Sequence, residues 1–183
     1  MPEKALQFPP YNPFPTVSNE RITLCEILPS DLEALLEICF YDGVKSTTFK
    51  EALVINGKID NDYQSGNSIH WGIRDNESGK LVGTCGYYRG FEKGGELGCV
   101  LLPQFRGQGF MAPALQLAAN FGLETMNLPR IYAITTKSNL KAVALLERTG
   151  FVKTADLEGD DVEYELITKK YSVHSPKSNQ QYR

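Results

Sequence analysis

Histidine is scarce in this chain: His70 and His174 are the two among 183 residues. That is too little material for a histidine-rich metal site or a Ser-His-Asp relay. The four cysteines, Cys25, Cys39, Cys85 and Cys99, are scattered inside apolar segments without C-x-x-C or Cys/His spacing. They read as reduced core thiols in a protein expected to be cytoplasmic, with no metal. No apolar run approaches the roughly 20 residues needed to span a bilayer, so no membrane partner is expected. The opening MPEKALQFPPYNPFP lacks the continuous apolar core of a signal peptide. Positive charge is not in excess: 19 Lys and Arg face 22 Asp and Glu, a net charge of -3. The footprint expected of a general nucleic-acid binder is therefore missing.

What is there suits one domain with a real core. The composition is 42% hydrophobic and 22% charged, ordinary for a globular chain of this length. Residues 1–19 form a leader with prolines at positions 2, 9, 10, 13 and 15, too many for a helix. Two readings stand for it: a flexible segment, or one anchored through Phe8, Tyr11, Phe14 and Val17. Residues 20–168 read as a single domain, and 169–183 as a polar, loose tail.

Within the domain, residues 21–28 alternate as a strand. Pro29-Ser30-Asp31 starts a helix carrying Leu32, Leu35, Leu36, Cys39 and Phe40. The stretch 44–66 has room for a short helix and a loop. Residues 68–74, 80–88 and 96–102 form an antiparallel meander with turns at 76–79 and 90–95. A helix follows from Phe110 to Met126, then a strand at 130–135. A second helix, capped by Ser138 or Asn139, runs to Arg148 and ends at Gly150. A hairpin of 151–155 and 161–168 closes the domain. This order predicts an α/β (α+β) fold: a mixed, mostly antiparallel sheet of about six to seven strands, with helices on both faces. The passage 96–135 should be a right-handed parallel crossover.

The segment Gln104-Phe105-Arg106-Gly107-Gln108-Gly109 lies between a strand and a helix. The first N–H groups of a helix have no internal partner, and its dipole favours negative charge there. Gly107 and Gly109 let a bulky anion approach the backbone, and Arg106 adds a fixed charge with planar donors. The turn is expected to hold a phosphate-bearing ligand.

At this point the chain resembles the GNAT acyltransferase superfamily, and within it the RimJ/RimL branch of ribosomal-protein alanine acetyltransferases. The family's phosphate turn, Gln/Arg-x-x-Gly-x-Gly/Ala, is met by Gln104, Gly107 and Gly109. Asn139 opening the next helix, Gly150-Phe151 ending it, the ERITL leader with Pro-Ser-Asp-Leu, and the Gly83-Thr84 strand are similar to that branch too. The resemblance covers about residues 20–167. It implies acetyl-CoA as cosubstrate and an amine acceptor, either a protein N-terminal α-amine or a small molecule. Gln104 is implied to be a coenzyme-binding residue, and the pyrophosphate would lie on Arg106, Gly107, Gln108, Gly109, Phe110 and Met111. The main chain of Val100, Leu101 and Leu102 would run beside the pantetheine arm, and Asn139 would reach that arm or its thioester. Three positions depart from the pattern: Leu146 where many relatives have a tyrosine, Pro113 for a Glu, and Ala142 for a Ser. They keep an alternative open, a catalytically weak acyl-CoA-binding domain of the same fold. A monomer or homodimer is expected.

Acyl transfer from a thioester needs a deprotonated amine, alignment and a stabilised oxyanion, but no relay nucleophile. Glu96, opening the strand that leads into the turn, is the first candidate base, acting through a water. His70 is a second candidate, and Cys99 on the same strand as Glu96 is a weak nucleophile candidate. Main-chain N–H groups near Leu101 are the oxyanion donors expected. Trp71, Tyr87 and Tyr88 are candidates for the acceptor pocket, although strand alternation prevents His70 and Trp71, or Tyr87 and Tyr88, from sharing a face. The acidic last hairpin, with Asp156, Glu158, Asp160, Asp161, Glu163 and Glu165, would attract a cationic acceptor or simply be solvated.

Overall fold

The protein is described by a computed structural model over residues 5–167. The polar tail read at 169–183 lies outside them. Among the described residues, ten strands and four α-helices follow in chain order. They are β1 (Val17–Ser18), β2 (Ile22–Cys25), α1 (Leu32–Leu35), β3 (Phe40–Tyr41), β4 (Val44–Lys45) and α2 (Phe49–Gln64). Then come β5 (Ile69–Asp75), β6 (Leu81–Tyr88), β7 (Gly95–Leu101), α3 (Met111–Asn120), β8 (Ile131–Thr136), α4 (Leu140–Arg148), β9 (Phe151–Asp156) and β10 (Asp161–Leu166).

Eight strands make the main sheet, in the order β1-β2-β5-β6-β7-β8-β10-β9. Every neighbour pair is antiparallel except β7 and β8. The parallel crossover expected from the sequence is thus present. The count exceeds the expected six to seven because Val17 and Ser18, just past the last leader proline, pair with β2. A separate hairpin pairs β3 with β4.

Strand alternation sorts the two faces. Cys85 and Tyr87 of β6 reach α3: the Tyr87 hydroxyl donates to the Ala118 carbonyl at 2.7 Å. Trp71 on β5 shares that face, stacking edge-on against Phe121 with centroids 5.2 Å apart. Its indole N–H donates to the Pro15 carbonyl at 2.9 Å, so the leader is part of this layer. Phe8 on Phe91, Tyr11 on Phe121 and Phe14 on Tyr63 hold the leader at three further points. Thr84 and His70 face the other way, toward α1 and α2.

The stretch 44–66 holds a sixteen-residue helix rather than a short helix and a loop. Its start is a capping box. Thr48 Oγ1 accepts from the Glu51 N–H at 3.2 Å, and the Glu51 carboxylate accepts from the Thr48 N–H at 3.2 Å. The spacing Thr-x-x-Glu carries this signal in the sequence. Downstream, Asn56, Gly57, Asp60, Asn61 and Asp62 dilute the helical period, and the burial of Ala52, Ile55 and Tyr63 compensates. Thr48→Ala is expected to cost about 1 kcal/mol of stability, read as a lower urea midpoint at unchanged slope; an unchanged midpoint would contradict the cap.

Candidate functional site

The strands β7 and β8 pair only at Gly95 with Ile131 and Glu96 with Tyr132. Beyond that point both continue, for five and four residues, without pairing to each other. The sheet therefore splits along its own middle. The gap, with the turn after β7 at one end and Glu96 at the other, belongs to a groove of about 1980 Å³. From Glu96 to Leu101 the strand rise spans roughly 17 Å. Val100 and Ile134, on opposite sides of the gap, are exposed apolar side chains lining it. An exposed apolar lining on an unpaired sheet edge suits an extended ligand that carries both methylenes and amides.

At the turn end, Gly107 and Gly109 take positive φ of 75° and 83°. A Cβ at either position would meet nothing within 4 Å, so both the backbone conformation and the open space above it are present. Among the described residues, the N–H groups of 107–110 have no hydrogen-bond partner, and α3 begins without a side-chain cap. Gln108 Nε2 donates to the Gln104 carbonyl at 2.7 Å, pinning the two ends of the turn together. Arg106 Nε donates to the Leu101 carbonyl at 3.2 Å. Phe110 is buried under the Arg21 guanidinium, which leaves its main chain for a ligand. Arg106, in this turn, lines the groove, as does Lys141 at the start of α4. The donor set suits a phosphate.

Of the residues expected around a coenzyme, Val100, Leu101, Arg106, Gly107, Gly109, Phe110, Met111 and Asn139 line the groove together. Leu102, Gln104 and Gln108 are not among its lining. Leu102 is buried beneath the turn, and the two glutamines brace it. Asn139 spends its side-chain oxygen capping α4, accepting from the Ala142 N–H at 3.3 Å. That cap engages the oxygen of Asn139 and not its amide N–H₂. Ala142 and Leu146 also line the groove, so α4 offers no hydroxyl at those positions.

At the other end, Glu96 is half-buried. Burial pushes its carboxyl up from the ordinary value, Glu163 adds to that, and Arg89 opposes it. A carboxylate poised this way is a better proton acceptor than a solvated one. Burial lowers His70 to about 4, leaving its imidazole neutral near pH 7 and a weak base. Burial, together with the neighbouring Cys85, raises the Cys99 thiol, so the thiolate that a nucleophile needs is disfavoured.

Two candidates for the acceptor pocket are corrected. Trp71 and Tyr87 are fully buried, point to the α3 face, and do not line the groove. Their polar atoms are already bonded to main-chain carbonyls, which is how a core aromatic is satisfied. Tyr88, on the opposite face, does line the groove, edge-on to His70 at 5.5 Å. The acidic hairpin is also occupied. Arg130 pairs with Glu163 and Glu165, Lys137 and Lys153 pair with Asp156, and Ser138 bonds Asp160. None of its carboxylates lines the groove. Sequence reading missed Asp42, Asp62 and Glu92, which do. The approach of β3, α2 and the 89–92 turn to one another is a product of the fold, and no local signal marks it.

Among the described residues, no group of three or more His, Cys, Asp or Glu is placed to hold a metal, and no helix is long and apolar enough to cross a membrane.

A family model for the acetyltransferase (GNAT) domain matches residues 21–152. The chain is 26% identical over 149 residues to the uncharacterized N-acetyltransferase YoaA of Bacillus subtilis (strain 168), covering 76% of this chain and 84% of that protein. It is 31% identical over 62 residues to the spermidine N(1)-acetyltransferase of Escherichia coli (strain K12), or 34% of this chain and 33% of that protein. The dodecameric spermidine N-acetyltransferase of Vibrio cholerae has the same fold, with a TM-score of 0.68 at 20% identity over 85% of this chain and 98% of that one. Split sheet, glycine turn and family match agree: the chain belongs to the GNAT acetyltransferase family, and the curated relatives it matches are N-acetyltransferases.

Proposed function

We propose that the protein transfers an acetyl group from acetyl-CoA to a primary amine, in the cytoplasm. The observation that carries this reading is the gap between β7 and β8, with an anion-binding turn at one end and a half-buried carboxylate, Glu96, at the other. The free cysteines support the cytoplasmic setting. The N–H groups of 107–110 would hold the pyrophosphate, and the edge of β7 would run beside the arm. Bound there, acetyl-CoA supplies an activated thioester. Glu96 accepts the proton of the acceptor ammonium through a water. The amine nitrogen would then bond to the acetyl carbon as the carbon–sulfur bond breaks, giving up its second proton to solvent to leave the amide N–H, while the released thiolate takes up a proton from solvent. Solvent serves because Leu146 and Ala142 give α4 no donor at those positions.

Those same two residues favour a second reading, an acyl-CoA-binding domain with little turnover. Thiol release from acetyl-CoA, measured with a panel of amines and of peptides with free N-termini, separates the two. Tight coenzyme binding without turnover on any acceptor would leave only the second reading. Gly107→Glu is expected to weaken coenzyme A binding at least about tenfold, since it adds a side chain at positive φ and a like charge in the anion cradle. Unchanged affinity by calorimetry would remove the turn as the pyrophosphate site.

A further inference from the structure

Strand β6 ends in two adjacent tyrosines that face opposite ways. Tyr87 belongs to the core, and Tyr88 lines the groove. Tyr88 stands directly opposite Glu96 in the register of β6 with β7, so the two share a face. Its ring leans along β7 and lies over Gly98. A Cβ on Gly98 would fall 2.7 Å from Tyr88 Cε2 and 3.3 Å from Cδ2, too close for the ring to stay where it is. Gly98 is not among the glycines with positive φ. What the ring uses is therefore the missing side chain and not the backbone freedom. The His70 ring packs edge-on against Tyr88 at 5.5 Å between centroids and helps to hold it.

The hydroxyl at the end of this held ring is unused. It has no hydrogen-bond partner among the described residues. Ser68 Oγ and His70 Nδ1 are unpartnered too, but those atoms are sealed from the groove, and the Tyr88 hydroxyl is not. The other tyrosine lining the groove, Tyr41, gives its hydroxyl to Asp62 Oδ2 at 2.9 Å. Burial, with Cys85 and Cys99 nearby, pushes the Tyr88 phenol well above its ordinary value. At neutral pH the group is accordingly an O–H donor and not a phenolate.

Its place along the groove is what gives this donor a use. Gly98 is midway between Glu96 and Val100, roughly 7 Å along the strand from each. Glu96 is the base of the proposed reaction, and Val100 begins the stretch beside the coenzyme arm. The acetyl group at the end of that arm has to come between them, at the level of Gly98, where the Tyr88 ring lies. From α4, Ala142 and Leu146 bring no hydroxyl to the groove.

Resting on the acetyltransferase reading above, we propose that Tyr88 is a catalytic residue whose hydroxyl donates a hydrogen bond to the acetyl carbonyl oxygen. As the amine nitrogen bonds to the acetyl carbon, the carbonyl electron pair moves onto that oxygen, and it returns as the carbon–sulfur bond breaks. The phenol keeps its proton throughout, so the proton balance given above is unchanged. A donor already in place when the charge develops needs no reorganisation. The side chain would join the main-chain N–H groups near Leu101 expected in that role.

Tyr88→Phe keeps the ring on Gly98 and removes only the hydroxyl. At saturating acetyl-CoA, kcat with the fastest acceptor of the panel above is expected to fall about 10²-fold. Acetyl-CoA affinity by calorimetry should stay within about twofold. NMR of bound acetyl-CoA labelled with carbon-13 at the carbonyl, without acceptor, supplies a readout independent of turnover. A hydrogen bond to the oxygen draws electron density from that carbon, so its resonance should move upfield in the variant. Gly98→Ala should give the same two changes with Tyr88 still present, because the added methyl group displaces the ring. The double variant should be no worse than either single one. An unshifted resonance in Tyr88→Phe, or a kcat within about threefold of the parent's, overturns the assignment and leaves the acetyltransferase reading intact. If the parent binds acetyl-CoA but turns over nothing in the panel, the resonance alone decides. Failure of the parent to bind acetyl-CoA overturns both.

Discussion

Replacing Glu96 by Gln is expected to lower kcat about 10²-fold or more while leaving acetyl-CoA affinity essentially unchanged. The substitution keeps the size and shape of the side chain, so any loss reports the missing proton acceptor. The pH profile makes the test sharper. The active form of Glu96 is the carboxylate, and burial holds its folded value above the ordinary carboxylate range. Turnover by the parent enzyme should therefore fall as pH is lowered through that raised value. It should recover above it, and the Gln variant should lack this limb. A Gln variant with the parent's kcat and the same acidic limb would show that another group takes the proton. His70 is the natural alternative to examine then. Loss of the acidic limb on substituting His70 rather than Glu96 would distinguish the two.

The second large effect is expected from Gly83→Ala, at the crossing of β6 and β7. A Cβ on Gly83 would fall on the Val100 carbonyl oxygen, and it would lie 3.0 Å from the Leu101 Cα and 2.9 Å from its Cδ2. Two of those three atoms are main chain, which cannot turn aside as a side-chain tip can. Relief requires β6 and β7 to separate. The expected cost is at or above the top of the 1–3 kcal/mol range typical of overpacking, so about 3 kcal/mol. Against a total stability of about 5–15 kcal/mol, that is a large fraction. Chemical denaturation should show a clearly lower midpoint with unchanged slope. Coenzyme affinity should fall too, because Val100 and Leu101 lead directly into the turn. A variant with the parent midpoint would mean that the strands accommodate the methyl group.

The glycine turn between β7 and α3 was legible in the sequence because its signal is local: two glycines at fixed spacing between an apolar run and a helical period. The meander was legible through strand alternation, with turn residues at either end. Alternation also shows that Trp71 and His70 must face opposite ways. It cannot say which faces the groove, because that depends on where α3 packs, a contact between residues 31 or more apart such as Tyr87 and Ala118. The acidic wall at Asp42 and Asp62 was hidden for the same reason, since its members come from separate elements. The last hairpin drew attention by its density of acids, but three of them, Asp156, Glu163 and Glu165, are paired with Arg130, Lys137 and Lys153, and none lines the groove. The split between β7 and β8 has no sequence signal in either strand. It arises from a parallel pair anchored at one end only.

That split has a consequence for selectivity toward donors. An interior sheet edge held open by the rest of the fold has already borne, during folding, the cost of leaving main-chain groups without a neighbouring strand. A ligand that is itself extended and carries amides can dock as a fragment of the missing strand and recover that cost as affinity. A short acyl donor without amides, such as a bare acetyl thioester, has nothing to add to the edge. It would be refused even though its reactive carbon is the same.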